Sequence, residues 1–166
     1  MTLYFLRHAI ALDRTAWRKA DSERPLTKDG IRKMKKIAKG LRKMGVKFDW
    51  ILTSPFRRAY DTAQIVTKEY KAQKHLRLSK SLATDGDPKL LVKHLALNFR
   101  TWESILLVGH EPYLSKLISV LIGGNDKTSI DLKKGGVCKL SADTLHYDSC
   151  ATLEWLLSPK LLKELA

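Results

Sequence analysis

Short apolar runs alternate along the chain with longer segments whose apolar residues recur every three or four positions. The runs occupy residues 2–7, 48–54 and 104–110, and each has the length of a strand that is buried on both faces. Residues 28–45 and 57–70 have the apolar period of amphipathic helices. This alternation predicts an α/β protein whose mostly parallel sheet is covered by helices on both faces.

The remaining segments carry weaker signals of the same two kinds. Asp87 and Pro88 stand in the order of a helix N-cap and a proline in the first helical turn. The other elements are expected as a short edge strand at 75–82, a helix at about 113–121, two meander strands at 135–143 and 151–158, and a helical tail from Pro159. No linker, repeat or low-complexity segment interrupts the sequence, so we expect one domain that spans residues 1–166.

The helix predicted at 28–45 has two very different faces. Thr27 is its candidate N-cap and Gly45 its candidate end. One face is almost entirely Lys and Arg, and the other contains the apolar residues Ile31, Met34, Ala38 and Leu41. Pro55 marks the expected start of the next helix, whose packing face contains Ala59, Thr62, Ala63 and Val66.

The chain has a formal net charge of +14 at pH 7. This charge predicts attraction to phosphates, acidic proteins or other polyanions, and it carries no information about the fold. Much of the excess lies in residues 32–47 and 68–80, which we interpret as solvated faces. Because neither stretch interleaves exposed aromatic residues with its charges or contains a nucleic-acid motif, we do not expect nucleic acid as a partner.

The sequence has no segment that indicates export or membrane insertion. No apolar run approaches the roughly 20 residues that span a bilayer, and the first ten residues lack the basic segment of a signal peptide. We therefore expect a cytoplasmic protein without a membrane partner. Cys138 and Cys150 lack the spacing of a metal or redox site, and we expect them as buried thiols.

Polar side chains follow the three apolar runs, at the point where each strand should end. Arg7 and His8 follow the first run, residues 53–58 follow the second, and residues 109–112 follow the third. Ligands of open α/β sheets bind at the carboxyl ends of the strands. We therefore expect these segments to meet at one edge of the sheet, which explains why a buried strand ends on a cation and an imidazole.

These residue types suit a phosphoryl group. Arginine binds phosphate oxygens through paired, charge-assisted hydrogen bonds, and a neutral imidazole is a good nucleophile near pH 7. Attack on phosphorus would form a phosphohistidine and divide one displacement into two easier steps. No carboxylate cluster lies near these segments, so we expect no metal, and two arginines with a protonated histidine would stabilise the charge.

Three motifs occur in a characteristic order: LRHA at 6–9, SPFRRAYDTA at 54–63 and VGHEP at 108–112. Together with ERPLTKDG at 23–30, they resemble the histidine phosphatase (phosphoglycerate mutase-like) superfamily, and in particular its small bacterial branch of SixA-type phosphohistidine phosphatases. The resemblance runs from residue 3 to about 159. It implies a three-layer α/β/α sandwich and an enzyme that needs no metal or organic cofactor.

The resemblance also implies roles for individual residues. His8 matches the family's phosphorylated nucleophile, and Arg7 matches the adjacent phosphate-binding arginine. Arg58, which directly precedes alanine, matches the arginine of the second motif, whereas Arg57 matches no family role. His110 matches the second histidine, which faces the phosphate.

Other positions follow the family pattern less closely. Arg24 matches a residue near the mouth of the pocket, and Ala9 replaces the glycine of the family's R-H-G motif. The family's general-acid glutamate has no clear match. The segment LATDGDPK offers Asp85 as the candidate acid, because we interpret Asp87 as a helix N-cap.

A site without a strong acid favours a leaving group that needs little protonation, and imidazole is far less basic than an alkoxide. The leading hypothesis is therefore a phosphatase that removes the phosphoryl group from a phosphohistidine-carrying phosphotransfer domain or phosphocarrier and releases inorganic phosphate. Two alternatives remain open: a phosphatase for small phosphoesters or polyphosphate-like anions, and a non-enzymatic polyanion-binding protein.

Overall fold

A six-stranded sheet forms the centre of the computed structural model, which describes residues 1–166. Its strands are β1 (Thr2–Arg7), β2 (Trp50–Thr53), β3 (Leu76–Leu78), β4 (Ser104–Gly109), β5 (Val137–Ser141) and β6 (Thr152–Leu157). They lie in the order β3-β2-β4-β1-β5-β6. Only β5 runs against the others, because it pairs in antiparallel fashion with both β1 and β6. The mostly parallel sheet and the final meander predicted from the sequence are both confirmed.

Five helices cover the two faces of this sheet. They are α1 (Lys28–Lys43), α2 (Arg57–Tyr70), α3 (Pro88–Asn98), α4 (Tyr113–Gly123) and α5 (Pro159–Glu164). Apolar residues of α1, α2 and α5 form one core cluster with the sheet, and those of α3 and α4 form a second cluster. The predicted three-layer α/β/α sandwich is therefore confirmed.

The position of β1 between these two clusters explains its continuous apolar run. Leu3 and Phe5 belong to the cluster with α3 and α4, whereas Tyr4 and Leu6 belong to the cluster with α1 and α2. All four side chains are buried. A strand covered on both faces has no polar side, so the run lasts until Arg7, which is only half-buried.

The residues at both ends of α1 are those that the sequence predicts, but one of its predicted core residues, Ile31, is not buried. The Thr27 hydroxyl accepts the N–H of Gly30 at 2.9 Å, and Gly45 follows the helix with φ of +76°. Ile31 is 36% exposed, because it lies at the margin of the packing face rather than within it. The large side chains that α1 buries are Met34, Ile37 and Leu41.

Two predicted boundaries are wrong. The edge strand expected at 75–82 is reduced to β3, because residues 80–82 form a 3₁₀ turn that buries Leu82. The helix expected to start near Pro55 begins two residues later. A turn in which the N–H of Phe56 donates to the side-chain oxygen of Ser54 precedes that helix.

Both cysteines are free thiols. Cys138 is buried, as predicted, and loss of solvation raises its pKa to about 12. Cys150 is only half-buried, because it lies in the segment before β6 rather than within the sheet. None of the five helices has both the length and the apolar character that crossing a bilayer requires.

Candidate active site

The carboxyl ends of β1, β4 and β2 lie side by side, and their register brings the predicted segments together. Arg7 is paired with Gly109 across the parallel ladder. Just beyond the strands, the N–H of His8 donates to the carbonyl of Gly109 at 3.0 Å, and the N–H of Ser54 donates to that of Val108 at 3.0 Å. The three chain segments therefore leave the sheet at one place.

His8 is held in one tautomer by the backbone of the next residue, Ala9. Its Nδ1 lies 2.7 Å from the carbonyl oxygen of Ala9, which can only accept a hydrogen bond, so Nδ1 carries the ring proton. Nε2 then has a free lone pair, toward which Nε of Arg58 donates at 3.3 Å. The ring centroid of His110 is 5.3 Å from that of His8. A nitrogen with nucleophilic character thus faces a guanidinium and a second imidazole.

Burial keeps both imidazoles neutral. His8 is 6% exposed and His110 is 1% exposed. Loss of solvation lowers the pKa of each ring to about 3, and the charge of Arg58 acts in the same direction on both. The expectation from the sequence that one histidine is protonated is therefore wrong. At pH 7 the positive charge belongs to the arginines, and His8 retains its lone pair.

Arg58 is fixed by a carboxylate that the sequence analysis did not single out. Its side chain, in the first turn of α2, donates to the backbone carbonyl of Asp21 at 2.9 Å and forms an ion pair with the Asp21 carboxylate at 3.0 Å. The same carboxylate accepts Nε of Arg24 at 2.9 Å. Partial burial opposes the ionisation of Asp21, but the hydrogen bond from Arg24 and the charge of Arg58 hold its pKa below the ordinary value.

His110 lies beside the His8 ring and forms a second wall of the site. Its Nε2 lies 2.8 Å from the Ser54 hydroxyl, while its Nδ1 is buried without a hydrogen-bond partner in the protein. The ring of Phe56 packs 5.2 Å from the imidazole and 5.1 Å from the guanidinium carbon of Arg58. Phe56 therefore separates part of this wall from solvent and contributes to the burial that keeps the imidazole neutral.

Arg7 and Arg24 lie around the same ring. Arg7 donates through one terminal nitrogen to the carbonyl of Leu132 at 3.0 Å, and its Nε is buried without a partner. Arg24 donates to the carbonyl of Leu12 at 2.6 Å. The charges of both arginines act on His8 and oppose its protonation. The structure thus brings Arg7, Arg24, Arg58 and both histidines into one cluster.

Thr62 links the loop that carries His8 to the helix that carries Arg58. Its buried hydroxyl accepts the N–H of Ala9 at 3.0 Å and donates to the carbonyl of Arg58 at 2.6 Å. The helical period places Thr62 on the packing face of α2, where it lies, and gives no sign of these two bonds. Asp21 was missed because it lies in an irregular segment whose contacts the sequence does not encode locally.

The structure does not bring Asp85 into this cluster. Asp85 is exposed on the turn before α3, and its side chain makes no hydrogen bond or ion pair. Asp87 is the predicted N-cap, since its carboxylate accepts two N–H groups of the first turn of α3. Glu111 lies next to His110 and is half-buried, so desolvation raises its pKa, while its carboxylate accepts the N–H of Ser115 at 3.1 Å. No three His, Cys, Asp or Glu side chains group as metal ligands anywhere in the structure.

Two buried imidazoles and three arginines lie together at the carboxyl edge of the sheet, an arrangement that suits a phosphoryl-transfer protein. The family model of the histidine phosphatase superfamily (branch 1) matches residues 3–82. The chain belongs to this superfamily, within its SixA-like branch, and this membership supports a phosphatase activity.

Similar proteins match nearly the whole chain. An uncharacterized protein of Picosynechococcus sp. is 33% identical, with 98% of this chain and 99% of that protein aligned. Phosphohistidine phosphatase SixA of Escherichia coli is 28% identical, with 98% and 97% aligned. Among solved structures, that of the protein histidine phosphatase SixA complexed with tungstate has a TM-score of 0.83 at 26% identity, covering 98% of this chain and all of the other.

Proposed function

We propose that the chain is a phosphohistidine phosphatase that acts through a covalent phospho-His8 intermediate, without a metal or organic cofactor. The observation that carries the proposal is the state of His8, which is neutral, protonated on Nδ1 and free to attack through Nε2. The similarity to SixA of Escherichia coli along nearly the whole chain supports the substrate class. The similar SixA structure holds tungstate, an oxyanion related to phosphate in shape and charge.

In the first step, Nε2 of His8 attacks the phosphorus of the substrate phosphohistidine. The P–Nε2 bond forms, the bond from phosphorus to the substrate imidazole breaks, and that imidazole keeps the bonding electrons. The Ala9 carbonyl, 2.7 Å from Nδ1, stabilises the positive charge that develops on the His8 ring. We propose that Arg7, Arg58 and His110 bind the oxygens of the phosphoryl group during its transfer.

In the second step, water attacks the phosphorus of phospho-His8. The P–Nε2 bond breaks, its electrons return to His8, and dihydrogen phosphate leaves and equilibrates its proton with solvent. His8 ends the cycle as it began, neutral and protonated on Nδ1. Arg24, which pairs with Asp21 at 2.9 Å, contributes positive charge at the mouth throughout.

The proposed substrate removes the need for a general acid. When the distal ring nitrogen of phosphohistidine carries a proton, the departing imidazole is already neutral. A phosphoester instead produces an alkoxide, for which general-acid catalysis is typically worth about 10²–10⁴-fold. The exposed position of Asp85 therefore fits a phosphoramidate substrate better than an ester.

We further infer that the substrate is a protein-borne phosphohistidine, as in a phosphotransfer domain or phosphocarrier, and that residues 1–166 act as one domain. The net charge of +14 favours encounter with an acidic protein. The two free thiols support a reducing compartment, which we take to be the cytoplasm.

The test compares rates on a phosphohistidine protein, para-nitrophenyl phosphate and polyphosphate, each with and without EDTA. We expect the phosphohistidine protein to be the preferred substrate, EDTA to have no effect, and His8→Ala to be inactive. Asp85→Asn should retain the wild-type rate on phosphohistidine. Preference for the ester or polyphosphate, or a large loss in Asp85→Asn, would contradict the proposed substrate class.

A further inference from the structure

A groove lies beside the active site, between the loop that joins β1 to α1 and the start of α2. It measures about 440 Å³ and is lined by Trp17, Lys19, Ser22, Glu23, Pro55 and Arg57. Its two walls flank the ion pair of the site, because Asp21 lies in the loop between Lys19 and Ser22, and Arg58 directly follows Arg57. A molecule in this groove would therefore lie next to the arginine that contacts His8.

The charged residues that line this groove are two cations, Lys19 and Arg57, and one carboxylate, Glu23, so its lining is net positive. Lys19 is exposed and forms no ion pair, and its Nζ lies 5.9 Å from the ring centroid of Trp17. Arg57 is exposed and faces Asp61 at 3.6 Å, a type of surface pair that contributes little to stability. Burial lowers the pKa of Arg58; the charge of Asp21 opposes this shift, and the charges of Arg24 and Arg14 add to it. The net positive charge of this groove can therefore attract an acidic partner.

Trp17 gives the groove a fixed apolar surface. Its ring is half-buried, and its indole N–H donates to the carbonyl of Ala20 at 2.9 Å. An aromatic ring that is already oriented loses little conformational entropy when a partner packs on it, and such residues are common at the centres of protein interfaces. Tryptophan and arginine are both enriched at protein–protein interfaces, and Trp17 and Arg57 line this groove together.

We propose that this groove, which we call the rim groove, binds the acidic surface that surrounds the phosphohistidine on the substrate protein. The inference rests on the proposed function and names the part of the chain that recognises the protein rather than the phosphoryl group. The rim groove lies outside the arginines of the site, so a small phosphorylated molecule held by those arginines would leave it empty. Opposite charges across the two surfaces would raise the association rate more than they would slow dissociation.

Two charge-reversal variants with the same net charge distinguish an effect of the rim groove from an effect of the chain's overall positive charge. The test variant is Lys19→Glu with Arg57→Glu. The control is Lys35→Glu with Lys68→Glu, which line a different groove between α1 and α2. Lys68 lies eleven residues beyond Arg57 on α2, which is about 16 Å along the helix. Each variant lowers the net charge by the same amount.

Both variants and the wild type are assayed on an acidic phosphohistidine phosphotransfer domain and on phosphoimidazole, at low and high salt. We expect the Lys19/Arg57 variant to lose about tenfold or more in kcat/KM on the protein at low salt, and little at high salt. Phosphoimidazole should be hydrolysed at the wild-type rate, and the Lys35/Lys68 variant should differ from wild type by less than about twofold on both substrates.

The outcomes separate the docking site from the activity itself. A Lys19/Arg57 variant with wild-type kcat/KM on the protein would contradict the docking role of the rim groove but not the proposed function. An equal loss of kcat/KM in the Lys35/Lys68 variant would have the same meaning. A loss on phosphoimidazole as large as on the protein would also contradict the docking role, because the substitutions would then act on the chemistry. Failure of the wild type to release phosphate from the protein would instead overturn the proposed function.

An independent arm tests the tryptophan. Trp17→Ala should raise KM for the phosphotransfer domain and leave kcat on phosphoimidazole unchanged. Trp102→Ala is its matched control, because Trp102 is 72% exposed and precedes β4 at the amino-terminal edge of the sheet, opposite the active site. Equal KM values for the two variants would contradict the role assigned to Trp17.

Discussion

Single polar atoms around His8 determine what its ring can do. The Ala9 carbonyl assigns the proton to Nδ1, and Arg58 donates toward Nε2. Nε2 therefore carries no proton, and its lone pair accepts the 3.3 Å hydrogen bond from Arg58. Asp21 forms an ion pair with Arg58 and holds it beside His8. A residue that never touches phosphorus can therefore control the geometry of the nucleophile.

Replacing Asp21 tests this control. In Asp21→Asn, Arg58 and Arg24 lose a charged partner, and a hydrogen bond to a charged group is worth roughly 1.5–3 kcal/mol. We expect kcat/KM to fall about tenfold or more, since Arg58 would no longer be held beside Nε2. Steady-state kinetics on phosphoimidazole measure the effect without protein docking.

Asp13→Asn is the matched control for this substitution. Asp13 lies in the same loop, but its carboxylate accepts only from Thr15 and from backbone in the exposed turn. Its kcat/KM should stay within about twofold of wild type. Equal activity of the Asp21 and Asp13 variants would show that Arg58 is positioned by other contacts.

The sequence predicted residues at strand ends better than residues in loops. Strand periodicity places Arg7, His8 and His110 at one edge of the sheet, because the register of parallel strands follows from their apolar runs. Asp21 reaches the site from an irregular loop, where no period links sequence position to location in space. The carbonyl of Leu132 that binds Arg7 has no signal at all, since any residue supplies a carbonyl.

At the scale of elements, the loop after β1 depends on how closely α1 approaches it. A side chain at Gly30, in the first turn of α1, would overlap the backbone carbonyl of Ile10, two residues after His8. Gly40, at the other end of α1, makes an equally close approach to the carbonyl of Leu162 in α5. Two backbone contacts of the same kind thus fix α1, and only one of them is near the site.

The two glycines provide a matched pair of alanine substitutions. Gly30→Ala and Gly40→Ala should each lower the free energy of unfolding by about 1–3 kcal/mol, because backbone must move to admit the methyl group. Only Gly30→Ala should also lower kcat of the folded protein, since it displaces the loop that carries His8. Chemical denaturation and kinetics below the melting temperature separate the two effects, and equal kcat values for both variants would contradict the link.

Elements with strong periods were predicted well, and short ones were not. The period of α1 and the caps at Thr27 and Asp87 are local features, so the sequence contains them in full. The end of β3 depends instead on Leu82, which a 3₁₀ turn inserts into the core with α3 and α4. Tertiary packing determines where this strand ends, and the eight residues 75–82 contain no local sign of it.

For the whole molecule, two buried neutral histidines make the fold sensitive to acid. The pKa of each ring is about 3 in the folded protein and about 6.5 in an unfolded chain. The unfolded state therefore binds protons first as the pH falls, and stability present above pH 6.5 is lost between pH 6.5 and 3. At pH 5 the loss is about 2 kcal/mol for each histidine.

Urea denaturation at pH 7 and pH 5 measures this loss. We expect His110→Gln to show a difference in unfolding free energy between the two pH values that is smaller than wild type by about 2 kcal/mol. His94→Gln serves as the control, because His94 is exposed on α3, and it should behave like wild type. Identical pH dependence in all three proteins would show that His110 is not held neutral by the fold.

Trapping the phosphorylated enzyme tests whether His8 is the nucleophile. The protein is mixed with a phosphohistidine substrate, quenched in alkali within one turnover and mapped by mass spectrometry. We expect a phosphoryl group on His8 that is stable in base and labile in acid, and none in His8→Ala. A phosphoryl group on any other residue, or phosphate release by His8→Ala at the wild-type rate, would contradict it.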